Sequence, residues 1–171
     1  MKKSLKIVLV LLFLCNGAHA IKLNPRKKYP FGASIHLLGP SGHLALSVNA
    51  FVAPKINIEL GTGLYNANSL FQYSTFIGGK YHFGGNSFLN TTFYLGVYDA
   101  FSHDFNRHHL YFPLGLHKIK RNQLTWSVEV AFQPDKAYYD STFWGAFKVG
   151  YQFGIKTKKQ KKEFSLFKNK K

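Results

Sequence analysis

The octapeptide KVGYQFGI, Lys148 to Ile155, alternates without interruption. Side chains on an extended strand point to opposite faces with a period of two, so Val149, Tyr151, Phe153 and Ile155 share one face and Lys148, Gly150, Gln152 and Gly154 the other. One face is greasy and the other is small or polar. Which of the two meets water decides the fold, and the same question can be put to every segment upstream.

Between Tyr29 and Ile155 turn signals recur at Gly39–Gly42, Ala53–Lys55, Asn66–Ser69, Gly84–Asn86, Ser102–His109, Lys120–Asn122 and Pro134–Ser141. These seven connections imply eight segments of about 16 residues each, turn included, which suits strands of roughly 9 to 11 residues tilted across a bilayer. Ile56, Ile58, Leu60, Thr62 and Leu64 oppose Asn57, Glu59, Gly61, Gly63 and Tyr65. Leu89, Thr91, Phe93, Leu95 and Val97 oppose Asn90, Thr92, Tyr94, Gly96 and Tyr98; Leu124, Trp126, Val128, Val130 and Phe132 oppose Thr125, Ser127, Glu129 and Ala131. The segment from Leu70 to Phe83 behaves likewise, whereas the first segment and the one holding Pro113 alternate less cleanly. No segment keeps a helical period.

Alternation alone does not say which face is outside. In a soluble, lipocalin-like barrel the polar face meets water and carries lysine and glutamate; here it is mainly Gly, Ala, Ser, Thr, Asn and Gln. In a membrane barrel that face turns inward and the apolar one meets lipid. Residues 29 to 155 carry charge at about 11% of positions, against about 25% in an ordinary soluble domain, too few for a wetted exterior. Aromatic residues near segment ends (Phe51, Tyr65, Phe71, Tyr73, Phe83, Phe101, Phe112, Phe132, Phe143) suit interfacial girdles. The expectation is an all-β, eight-stranded antiparallel up-and-down transmembrane barrel over residues 29–155.

The opening stretch then gains a second meaning. Lys148, Gly150, Phe153 and Ile155 resemble the β-signal that outer-membrane barrels carry in their last strand for the insertion machinery, and the architecture resembles the small eight-stranded outer-membrane proteins of the A and X kind. The resemblance implies the outer membrane of a Gram-negative cell, partnership with the barrel-insertion machinery, and contact with outer-membrane lipids and lipopolysaccharide. Members of that group commonly end at the aromatic residue, whereas this chain continues to Lys171.

The amino-terminal stretch 1–20 fits export: Lys2, Lys3 and Lys6, an apolar run from Ile7 to Cys15, and Ala18-His19-Ala20 as a small-x-small cleavage site. Cleavage there would leave no cysteine, so no disulfide and no thiolate ligand. Basic residues gather in the flanks, at 21–28 and again at 156–171, where eight lysines accompany the single acid Glu163. The tail reads as a solvated, disordered extension, with anionic headgroups or cell-wall polymer as the alternative partner of both flanks. Nucleic acid is not expected for an exported chain whose lysines avoid the folded body.

Eight strands enclose just enough room for side chains, so the interior is expected to be filled. Its contents include Glu59, Lys80, Glu129 and Lys148 as ion pairs, with Glu129 facing Lys148, and His36, Asn49, His82 and His117 as further polar groups. With both termini periplasmic, the turns at Ala53, Gly84 and Lys120 share that side. The outer loops are then those at Gly39, Asn66, Ser102 and Pro134, the last two the longest. Lys118, Lys120 and Arg121 join the flanks in a basic periplasmic rim. In SHDFNRHH, His103, Asp104, His108 and His109 are the residues nearest to a metal set, but their spacing fits no tight pattern. Ser102, His103 and Asp104 have the side chains of a nucleophile and base, the alternative being a lipid A-modifying acyl hydrolase or transferase. Neighbours on a strand point to opposite sides, which argues against that triad. No cofactor is expected, and the leading role is structural, adhesive or small-ligand-binding, through the outer loops.

Overall fold

The computed structural model describes residues 24–67, 70–87, 89–134 and 142–154, with side chains throughout except at 65–67, 70 and 71. The export segment 1–20, the tail 156–171, Ile155 and most of the Pro134–Ser141 connection lie outside the described residues. Eight strands follow one another: β1 (Phe31–Gly39), β2 (Gly42–Ala53), β3 (Ile56–Ala67), β4 (Leu70–His82), β5 (Thr91–Ser102), β6 (Arg107–Ile119), β7 (Leu124–Phe132) and β8 (Phe143–Phe153). Each pairs antiparallel with the next, and β8 returns to β1 from Phe31↔Phe153 to Leu37↔Phe147, closing the sheet. Closure leaves no sheet edge to protect, so the backbone polar groups are satisfied within the wall.

The period of two survives folding. Ile35, Leu46, Val48, Ile58, Leu60, Ile77, Leu95, Leu114, Val128 and Val130 all stand outward, each between 44% and 59% exposed. Inside are Tyr94, Tyr98, Tyr111 and Phe76 with Glu59, Glu129, Lys80, Lys148, His36 and His82, all nearly inaccessible. The polarity of an ordinary soluble domain is therefore inverted: the oily rows do not pack on one another, and the ionic set is sealed within. Tyr73, Phe83, Phe132 and Phe143 are exposed at strand ends, where a girdle belongs.

Of the two untidy segments, β1 breaks its alternation, whereas β6 keeps it from His109 to Ile119 and loses only ladder pairs. In β1 the alternation fails where Leu37 and Leu38 are both exposed, because Leu38 takes φ 60° to enter the turn at Pro40. In β6 Pro113 has no N–H to donate, and the ladder to β5 skips from Leu95↔Leu114 to Tyr98↔Tyr111 without changing register. Gly96 lies opposite this proline, and a Cβ on it would come within 3.1 Å of Pro113 Cγ.

Three expectations are corrected. The connection after Ser102 is only the four residues 103–106, since Ser102 pairs with Arg107 and the ladder carries His108 and His109 into β6 opposite Phe101 and Ala100. It is still longer than the outer connections at 40–41 and 68–69, as expected, although the connection from 83 to 90, at the other mouth, is twice its length. β5 accordingly begins at Thr91, leaving Leu89 in that connection. Phe51 is no girdle residue: it shares the inward parity of Ser47 and Asn49 and is buried.

Candidate functional site in the barrel lumen

The lumen is organised around Glu59, delivered inward by β3. Its carboxylate is ion-paired with Lys148 from β8, lies 3.3 Å from Lys80 Nζ of β4 and 3.1 Å from His36 Nε2 of β1, and accepts the hydroxyls of Ser47 and Tyr98 at 2.6 Å each. Glu129, from β7, accepts Tyr111 OH at 2.6 Å and also Tyr94 OH, with Lys80 Nζ at 3.8 Å. Lys80 stands over the rings of Tyr94 and Tyr98, 4.6 and 5.5 Å from their centroids. Two carboxylates and two ammonium groups thus balance in charge, and hydroxyls take up the remaining acceptor capacity, which is the condition under which buried ions are tolerated.

The expected pairing of Glu129 with Lys148 is not the one made. In the β7–β8 register Glu129 lies opposite Ala146 and Lys148 opposite Ser127. Lys148 instead reaches across the lumen to Glu59, and Glu129 is served by Lys80. Room for this cluster comes from small residues on the inner face. A Cβ on Gly78 would enter the ring of Tyr98, and one on Gly115 would lie 2.8 Å from Glu129 Cβ. Gly150, part of the last-strand motif, sits opposite Ser34, whose side chain occupies the place a Cβ would take. In the same motif Lys148 is buried and Phe153 exposed, while Ile155 lies outside the described residues.

Nearer the termini the polar set is uncharged. Asn49 accepts from Asn57 at 3.2 Å, and the side-chain amides of Asn49 and Gln152 meet at 3.0 Å. The imidazoles of His82 and His117 pack at 5.3 Å between centroids, with Phe51 at 5.2 Å from the first and 6.0 Å from the second. His82 Nδ1 is 3.0 Å from Thr92 Oγ1.

The mouth itself is closed by a feature that composition assigned to the basic flank. Asn24 caps a single helical turn, α1 (Pro25–Lys28), accepting from Arg26 N at 3.0 Å, and its Nδ2 donates to Gly85 O at 2.7 Å. The turn pushes Arg26 into the barrel, where it donates to Leu89 O at 3.1 Å and Thr92 Oγ1 at 2.6 Å and stands 5.9 Å from the Phe51 ring centroid. Burial lowers its pKa to about 10, so it stays charged at neutral pH. The available sequence signal was the Asn-Pro pair at 24–25, a cap followed by proline at the first helical position.

At the opposite mouth the tempting residues are dispersed. Ser102 is fully buried; His103 Nε2 lies 3.2 Å from Thr75 Oγ1; Asp104 accepts from Tyr73 N at 3.3 Å. His108 pairs with Asp99 at 2.8 Å on the exposed surface, and His109 points inward. Among the described residues no three His, Cys, Asp or Glu side chains gather as a metal-holding group.

No family model and no curated protein matches the chain. Among solved structures, the chain is similar to the N-terminal β-barrel domain of Pseudomonas aeruginosa OprF, at a TM-score of 0.54 and 14% identity, over 74% of this chain and 98% of that domain. What the two share at that identity is the fold, and the chain is a small, closed, eight-stranded up-and-down barrel.

Proposed function

We propose that this chain is an integral outer-membrane barrel with a plugged polar lumen, acting as a structural or small-ligand-binding element through the mouth opposite its termini. The observation that carries the reading is the continuous outward belt of large apolar side chains on every strand. Contiguous exposed apolar surface on this scale marks a lipid or partner interface, and a closed cylinder wrapped in it fits only hydrocarbon on all sides. The last-strand motif, the sparse charge of the body and the aromatic residues at strand ends support the same location. β1 begins and β8 ends at one mouth, as an even strand count requires, and in this reading that mouth faces the periplasm. The ion cluster and the Arg26 turn fill the passage, so the barrel holds a position in the membrane and does not conduct.

The test is fractionation of cells producing the full chain, followed by gels of the outer-membrane fraction before and after boiling. The barrel is expected to resist carbonate extraction and to migrate faster unboiled. Recovery in the periplasmic wash would contradict the proposal. Planar-bilayer recordings are expected to remain at background conductance.

A further inference from the structure

The outward wall is recessed between β7 and β8, at the end where the termini lie. A groove of about 410 Å³ runs there along Leu124, Trp126, Val128, Phe147 and Val149, with Lys120 at its terminal-side end. The register explains its shape. Trp126 is paired with Val149 and Val128 with Phe147, so the long side chains stand diagonally and the two valines floor the gap between them. The groove is shallow and open to the outside along its length, and its walls are almost wholly apolar.

The charge around the groove is one-sided. Lys118 is the cross-strand neighbour of Trp126 on β6, and Lys120 and Arg121 follow in the β6–β7 connection, the latter two exposed. Among the described residues no acid lies at this mouth: Glu59 and Glu129 are sealed in the lumen, and Asp99 and Asp104 belong to the opposite end. Other cations of the same rim are differently placed, Lys28 standing over Tyr29 at 5.0 Å and Lys55 over Tyr81 at 5.9 Å.

We propose that the groove is a binding site for one anionic glycerophospholipid. An acyl chain lies along Val128, Phe147 and Val149, and the phosphate is held by Lys120 with Lys118 and Arg121. The inference rests on the membrane-spanning reading above. A long apolar trough leading to a cluster of cations suits a molecule with a hydrocarbon chain and an anionic head, and a free phosphate would leave the trough unused. The site opens at the termini's mouth, which assigns it to the periplasmic leaflet and to a phospholipid.

The test is native mass spectrometry of the detergent-folded full chain, loaded from equimolar phosphatidylglycerol and phosphatidylcholine. The barrel is expected to retain one phosphatidylglycerol in preference to phosphatidylcholine. Lys118→Gln, Lys120→Gln and Arg121→Gln are each expected to lower that preference about fivefold. Val149→Trp, which fills the trough, is expected to abolish retention of both lipids, and Lys55→Gln, elsewhere on the rim, to leave it unchanged. Inorganic phosphate is expected not to displace the lipid. Equal retention of the two lipids, equal sensitivity to Lys55→Gln and Lys120→Gln, or displacement by phosphate alone would overturn the proposal. A boiling-dependent mobility shift is read on each sample. A folded, detergent-requiring barrel without lipid preference removes this inference only, whereas a monodisperse protein without detergent removes the membrane reading itself.

Discussion

Glu59 holds together side chains from five strands, since Lys148, Lys80, His36, Ser47 and Tyr98 all converge on its two oxygens. Removing one member of such a buried set leaves a charge that nothing else in the lumen can neutralise. Glu59→Gln is therefore expected to destabilise the barrel by about 3 to 5 kcal/mol in urea unfolding from lipid vesicles. The double change Glu59→Gln with Lys148→Met should recover most of that loss. A single-variant loss below about 1 kcal/mol would mean that water, not protein, solvates the carboxylate. Gly78→Ala tests the same cluster sterically, because the new methyl enters the space of the Tyr98 ring. A cost of about 1 to 3 kcal/mol in the same unfolding assay is expected. That Glu59, Lys80, Glu129 and Lys148 face inward was legible from parity taken together with the scarcity of charge in the body. Their partners were not, because Glu59 on β3 and Lys148 on β8 meet across the cylinder, and no local pattern encodes a contact through its centre.

At the scale of the strand, alternation carried the reading wherever the backbone stayed regular. It failed at Leu38, whose positive φ breaks the period, and at Arg107 to His109, whose polar sequence reads as loop but whose ladder to β5 is intact. In the membrane-spanning reading, polar composition misleads at a barrel rim because strands there extend past the hydrocarbon, where charged side chains are at ease. The turn α1 was hidden for the opposite reason: three successive basic residues read only as part of a basic flank, yet the helical turn aims Arg26 away from Lys27 and Lys28 and into the mouth. Depth along a strand also sets the cost of charge on the outer face. Val128→Lys, in the middle rows of β7, is expected to destabilise the barrel in vesicles by about 2 to 4 kcal/mol, and Tyr151→Lys, near the end of β8, by about 0 to 1 kcal/mol. Equal costs at the two depths would contradict a bilayer around the wall.

For the whole molecule, inversion of polarity is the physical fact from which the rest follows. A small cylinder has room for one layer of side chains inside, so the sequence places there the groups that can satisfy one another, tyrosines, histidines and balanced ions, and gives the larger outer surface to aliphatic residues. Closure removes the sheet edges, and the Arg26 turn stops one mouth. The most direct measurement of the central claim is fluorescence of a thiol-reactive probe placed singly by cysteine substitution along β7, in a Cys15→Ser background, with the protein in vesicles of brominated lipid. The account predicts strong quenching at Val128 and Val130 and little at Ser127 and Ala131, a period of two in phase with the oily face. Quenching in the opposite phase, or none at any position while the protein remains folded in water, would contradict it.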